Sequence, residues 1–175
     1  ISVLRSLPNL SIHNPGSRLE TEFVLESMFK SNKPSIARLG KSPDMDFYKK
    51  KINDVNDLIL TKGSNLTIFT TGNILENVYK AVKSLEKNKG YKIKLISLPI
   101  LKPTNEKFII KNINSSRVLS IEENINIGGL GSMIAISIFK YKKNKKIHFK
   151  SLSLEDIIHN KIGSQNYLRK INKLN

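Results

Sequence analysis

Residues 121–132 read IEENINIGGLGS, in which spaced isoleucines and a pair of acids run into three glycines. The order describes the end of a buried strand that turns tightly into a helix. In α/β proteins such a turn can hold a phosphate, because a helix N-terminus presents unpaired backbone N–H groups and the positive end of its dipole. The dinucleotide fingerprint Gly-x-Gly-x-x-Gly fails here, since alignment on Gly129 and Gly131 puts Ile134 where the third glycine must let helix and strand approach. Nor does the chain contain Gly-x-x-x-x-Gly-Lys-Ser/Thr, the phosphate cradle of P-loop proteins. Gly128, Gly129 and Gly131 are therefore expected to shape a turn and not to bind a nucleotide.

Working outward, SRVLSIE (116–122) is the strand that feeds this turn, and SNLTIFTT (64–71), rich in β-branched residues, is a second buried strand. The pattern predicts a helix over about 74–87, with Leu75, Val78, Val82 and Leu85 on one stripe and Gly90 as its stop. YKIKLISL (91–98) is the next strand, Pro99 and Pro103 bracket a turn, and Thr104 is the expected cap of a short helix through Ile110. Phe149 lies in an alternating, half-buried strand, and Glu155 and Asp156 are expected in the first turn of a short helix after Ser153. Strands alternating with helices require right-handed crossovers, which predicts a three-layer α/β/α domain with a mainly parallel sheet over residues 61–175. Residues 1–42 hold a smaller β-α-β fragment of a second α/β domain: LSIHNP, then a helix capped by Ser17 with Glu20 completing a capping box, then PSIARLG. Leu19, Phe23, Val24 and Met28 share one face of that helix. Residues 43–60, polar and of mixed charge, are the expected linker.

Composition bounds the chemistry. The 175 residues carry a formal charge of +16 and no cysteine, which excludes disulfides, thiolate metal sites and cysteine nucleophiles. The excess is lysine, accompanied by abundant asparagine and isoleucine, and the most basic run, KYKKNKKIHFK (140–150), offers few stacking aromatics. It reads as a solvated face and not as a nucleic-acid site. His13, His148 and His159 lie far apart with no metal-ligand spacing, and no Gly-x-Ser-x-Gly elbow is present. Glu122 and Glu123 cannot face the same way if they end a strand. No apolar run is long enough to cross a bilayer as a helix and no export signal is visible, so the cytoplasm is the expected compartment. The chain opens on Ile1 without a methionine, from which a break within a larger polypeptide is expected.

Taken in order, several segments resemble the C-terminal third of transketolase and its thiamin-diphosphate relatives. ISVLRSLPNLSIHNPGSRLETEFVLESMF is similar to the Leu-Arg-x-x-Pro-Asn passage and following helix near the end of the pyrimidine-binding domain, and PSIARLGK to that domain's last strand. NLTIFTTGNILENVYKAVKSLE resembles the first strand, glycine and helix of the C-terminal domain, and ISLPILKPTNEKFI its second strand and Lys-Pro turn. RVLSIEENINIGGLGSMIAISI resembles the strand, acidic pair, glycine turn and helix that follow, and IGSQNYLRKINKL the closing helix. Members commonly carry a histidine where this chain has Asn124, so no role passes to that position.

The resemblance implies a C-terminal segment of an enzyme that transfers a two-carbon ketol unit between sugar phosphates using thiamin diphosphate and magnesium. It also implies that the cofactor and catalytic groups precede Ile1. By this reading the chain alone is inactive, binds no cofactor, and supports dimer contacts in a homodimer or heterotetramer with the remaining N-terminal part or subunit. Arg38 corresponds to an arginine at the mouth of the substrate funnel, a planar fork suited to a sugar phosphate, and Lys41 would assist as a flexible point charge. Within the family the alternatives are a beta subunit of a 2-oxo acid dehydrogenase or a segment of deoxyxylulose phosphate synthase. From another class the alternative is a non-catalytic anion- or nucleic-acid-binding module, marked by steep loss of DNA affinity with salt.

Overall fold

The computed structural model describes residues 1–40, 47–141, 146–157 and 160–174, so Lys41 and His159 lie outside the described residues. The N-terminal piece runs α1 (Ser2–Ser6), β1 (Ser11–His13), α2 (Arg18–Phe29) and β2 (Ser35–Ala37). Two short 3-10 turns follow at Val55–Leu58 and Gly72–Ile74, the second joining β3 (Leu66–Thr71) to α3 (Leu75–Lys89). Then come β4 (Ile93–Ser97), β5 (Ile100–Lys102), α4 (Glu106–Asn112), β6 (Arg117–Ile125), α5 (Leu130–Tyr141), β7 (His148–Leu154) and α6 (Gln165–Ile171).

The main sheet has the order β4-β3-β6-β7 and all its pairings are parallel, as alternating strands and helices require. Strand period decides the layers. Phe69 packs with Ile96, Phe108, Val118, Leu130, Met133 and Ile134 in one apolar cluster, while its neighbour Ile68 joins Val78, Val82, Ile93 and Leu95 in another. On α3, Leu75, Val78 and Val82 are buried, and Leu85 at the end of the stripe is half out, 39% exposed. Gly90 ends α3 with φ +67°, a conformation a side chain would resist.

The smaller sheet, β2-β1-β5, links the two halves. Between Pro99 and Pro103, where a turn was expected, the backbone is extended as β5 and pairs antiparallel with β1, Ile12 opposite Lys102 and His13 opposite Ile100. Within the stretch expected as a linker, Ile52 and Leu58 are buried against Leu19 of α2.

Three local expectations are corrected. The cap of α4 is Asn105, whose Oδ1 accepts from the Phe108 N–H at 3.0 Å, while the Thr104 hydroxyl donates to the Leu101 carbonyl at 2.9 Å. An amide side chain at the N-cap reaches the third helical N–H as well as a hydroxyl does, and Thr104 stands one residue too early. Ser153 lies inside β7 and caps no helix: Glu155 and Asp156 come just after the strand and outside any helix, because pairing with β6 holds the backbone extended through Leu154. At α2, Ser17 accepts from the Glu20 N–H at 3.2 Å as expected, but the Glu20 carboxylate returns to the Gly16 N–H at 2.7 Å and not to Ser17.

Glu20 is fully buried and also accepts from the Tyr48 hydroxyl. Burial raises its pKa above the ordinary carboxylate range, against the pull of those hydrogen bonds. A folded-state pKa above the unfolded one stabilises most below the unfolded value, and that contribution is lost as pH rises through the raised one. The stability difference between the natural chain and Glu20→Gln, measured by urea unfolding, should therefore shrink or turn against the natural chain as pH rises above about 4.5.

Candidate functional site

At the carboxyl ends of β3 and β6, the edge where open parallel sheets generally bind ligands, a cleft of about 400 Å³ is lined by Asn14, Arg38, Gly40, Asn73, Glu123 and Gln165 among others. The N-terminal piece supplies one wall. Asn14 meets the end of β3: its carbonyl accepts from the Gly72 N–H at 3.0 Å, and its amide donates to the Thr71 hydroxyl at 3.3 Å. Gly72 has φ +72°, and a Cβ there would lie 2.6 Å from the Asn14 amide nitrogen, so this approach admits only glycine.

Arg38 leaves β2 at the rim, its backbone N–H bonded to the His13 carbonyl at 2.9 Å. The exposed guanidinium donates through Nη1 to the backbone carbonyl of Glu123 at 3.1 Å. The Glu123 carboxylate takes a bidentate pair from Arg169 of α6, Nε at 2.6 Å and Nη2 at 3.0 Å, with Gln165 Nε2 at 3.2 Å. Arg169 is 6% exposed and spends its other donors on Asn77 Oδ1 and the Asn73 carbonyl, both at 3.0 Å. Two guanidiniums thus meet one residue of β6, Arg38 through a single hydrogen bond to its carbonyl and Arg169 through a bidentate fork that a lysine could not reproduce.

Glu122 turns the other way. Fully buried, its carboxylate accepts from the N–H groups of Leu130 and Gly131, each at 2.8 Å, at the start of α5. Arg5 of α1 donates to the carbonyls of Gly128 at 2.6 Å and Gly129 at 3.1 Å. Burial raises the Glu122 pKa, opposed by the two backbone donors and by Arg5, and burial lowers that of Arg5. The donors a phosphate would need are thus bonded to the chain's own carboxylate. A Cβ on Gly129 would lie 2.4 Å from Glu122 Oε2.

Of the residues singled out in the sequence, the structure brings Arg38 to the rim of the cleft, and Lys41 lies outside the described residues. The acidic pair faces opposite ways, as strand alternation requires. Among the described residues no group of three histidines or carboxylates could hold a metal ion. Arg169 was missed. Its signal was composition: it is one of five arginines in a lysine-rich chain, and Arg5, Arg38 and Arg169 all converge on the acidic pair and the glycine turn.

Residues 57–165 match the family model described as Transketolase, C-terminal domain. One subunit of the apulose-4-phosphate transketolase of Phocaeicola vulgatus is 27% identical over 141 residues, which cover 77% of this chain and 44% of that protein. The 1-deoxy-D-xylulose-5-phosphate synthase of Shouchella clausii is 30% identical over 164 residues, covering 89% of this chain and 25% of that one. The chain spans about half or less of the length of the curated relatives it matches. A solved structure described as "Split gene transketolase, inactive beta4 tetramer" shares the fold, with a TM-score of 0.83 at 22% identity over 99% of this chain and 55% of that one.

Replacement of Gly129 by alanine tests the turn: the clash with Glu122 should lower unfolding stability by about 1 kcal/mol or more. ATP and NAD should leave the melting temperature of the natural chain unchanged, and protection that is lost in the variant would mark a phosphate cradle instead.

Proposed function

The chain belongs to the transketolase C-terminal domain family, and we propose that it is the C-terminal segment of a transketolase-like enzyme that meets its phosphorylated substrate through Arg38. In this reading residues 1–42 end a pyrimidine-binding domain, 43–60 form the linker and 61–175 the C-terminal domain. The complete, cytoplasmic enzyme assembles as a homodimer or heterotetramer with the remaining N-terminal part or subunit, and it moves a two-carbon ketol unit between sugar phosphates.

Thiamin diphosphate supplies the electron sink for that chemistry when bound to the complete enzyme. The residues described here do not fit its diphosphate or magnesium: no three carboxylates or histidines cluster, and Glu122 takes the N–H donors after the glycine turn. Their contribution is binding and orientation. The observation that supports the reading is the guanidinium of Arg38 at the cleft rim, held by one hydrogen bond to the Glu123 carbonyl. Four of its five N–H groups carry no other protein bond among the described residues, enough to grip two phosphate oxygens in a fork. Fixing the distal phosphate leaves the sugar's reacting end free to reach groups supplied by the rest of the enzyme. Lys41, next in sequence to Gly40 of the cleft wall, adds a second positive charge in this proposal.

In the enzyme completed with its N-terminal part, Arg38→Ala should raise KM for phosphorylated sugars by about ten- to a hundredfold, or about 1.4 to 3 kcal/mol, and change turnover of non-phosphorylated donors little. Steady-state kinetics on matched substrates with and without the phosphate measures this. An equal loss for both would leave Arg38 a structural part.

A further inference from the structure

A second cleft, of about 380 Å³, is lined by Ser11, His13, Ser27, Ser31, Lys33 and Lys102 among others. It shares no lining residue with the first cleft. Ser11 and His13 stand two apart on β1, so the pleat turns both to this side while Ile12 enters the apolar core. Ser27 comes from the last turn of α2, Ser31 from the turn just after its cap, and Lys102 from β5.

His13 is only 2% exposed, and neither ring nitrogen has a hydrogen-bond partner among the described residues. Burial lowers its pKa, which keeps the imidazole neutral, with one N–H to donate and one lone pair to accept. A buried polar ring without partners is costly unless something polar comes to meet it.

The surroundings supply what an anion needs. The Ser31 hydroxyl oxygen accepts from the Lys33 N–H at 3.2 Å, which leaves its own proton free to donate outward. Lys102 gives two ammonium protons to the carbonyls of Arg5, at 3.0 Å, and Leu7, and keeps a third. Ser11 and Ser27 hydroxyls make no protein hydrogen bond among the described residues, and neither aspartate nor glutamate lines the cleft. Two ammonium groups, three hydroxyls and no acid describe an oxyanion site. The neutral imidazole beside them suits a hydroxyl, since each can both donate to and accept from the other.

We propose that this cleft binds a small phosphorylated polyol or sugar, its phosphate on Lys33, Lys102 and the serine hydroxyls and a hydroxyl of its carbon skeleton on His13. The site is independent of the one that holds Arg38.

Glycerol 3-phosphate titrated into the 175-residue chain at constant ionic strength tests it, with the His13 ring nitrogens followed by NMR and the heat by calorimetry. The expected result is a saturable shift of His13 that matches the calorimetric isotherm. Lys33→Ala, at an exposed position where folding is undisturbed, should weaken binding by about tenfold, and Arg38→Ala should leave it unchanged. A response that never saturates, saturable heat with His13 unmoved, or binding lost in Arg38→Ala but kept in Lys33→Ala would each overturn the proposal.

Discussion

Adjacent residues of an extended strand must project to opposite faces, and most of the organisation around the cleft follows from that constraint acting on Glu122 and Glu123. One carboxylate enters the interior and closes the first turn of α5 through Leu130 and Gly131. Its neighbour leaves on the other face and holds the tail helix α6 through Arg169. Had the two acids stood two residues apart, both would point to one side, and either the helix start or the tail would be left without its anion. The backbone carbonyl of Glu123, fixed between these two attachments, is what Arg38 grips.

Burying charge so close to a sheet is expensive, and the arrangement contains the cost with dense hydrogen bonding. Glu122 has two backbone donors and the Arg5 guanidinium nearby, and Glu123 has a bidentate fork plus an amide. These are the places where planar, multi-donor arginine outperforms lysine, and three of the chain's five arginines are used there while lysine dominates elsewhere. A comparable logic operates across the two halves. Pairing of β5 with β1 and the Asn14 contact with Gly72 hold the rim arginine against the main sheet, so that a residue from the small sheet and one from the large sheet face the same cleft.

The larger features of the fold were legible because they rest on period and punctuation. The β-branched run at 66–71 marks a buried strand, the stripe of Leu75, Val78 and Val82 a helix that buries one face, and Gly90 the end of that helix. The antiparallel β5 was not legible: its three residues lie between prolines, and what makes them a strand is the distant partner β1, nearly ninety positions earlier. The missing helix after Ser153 has the same cause, since pairing with β6 overrode local capping chemistry. At the site, the opposite orientation of the acids could be read from the strand alone, and the failed fingerprint at Ile134 argued against a nucleotide. That Glu122 itself occupies the helix start, and that Arg169 returns from the tail to meet Glu123, are tertiary facts with only the scarcity of arginine to hint at them.

The division of labour between the two acids is tested most directly by amide hydrogen exchange compared across Glu122→Ala and Glu123→Ala. Loss of Glu122 should speed exchange at Leu130 and Gly131 while the Leu168 and Asn172 amides of α6 and its cap, bonded to the Ser164 and Leu168 carbonyls, stay protected. Loss of Glu123 should do the reverse, releasing α6 and leaving the start of α5 closed. The same pattern of loosening in both variants would contradict the account, since it would mean that the pair acts as one undifferentiated charge and that the pleat does not separate their roles.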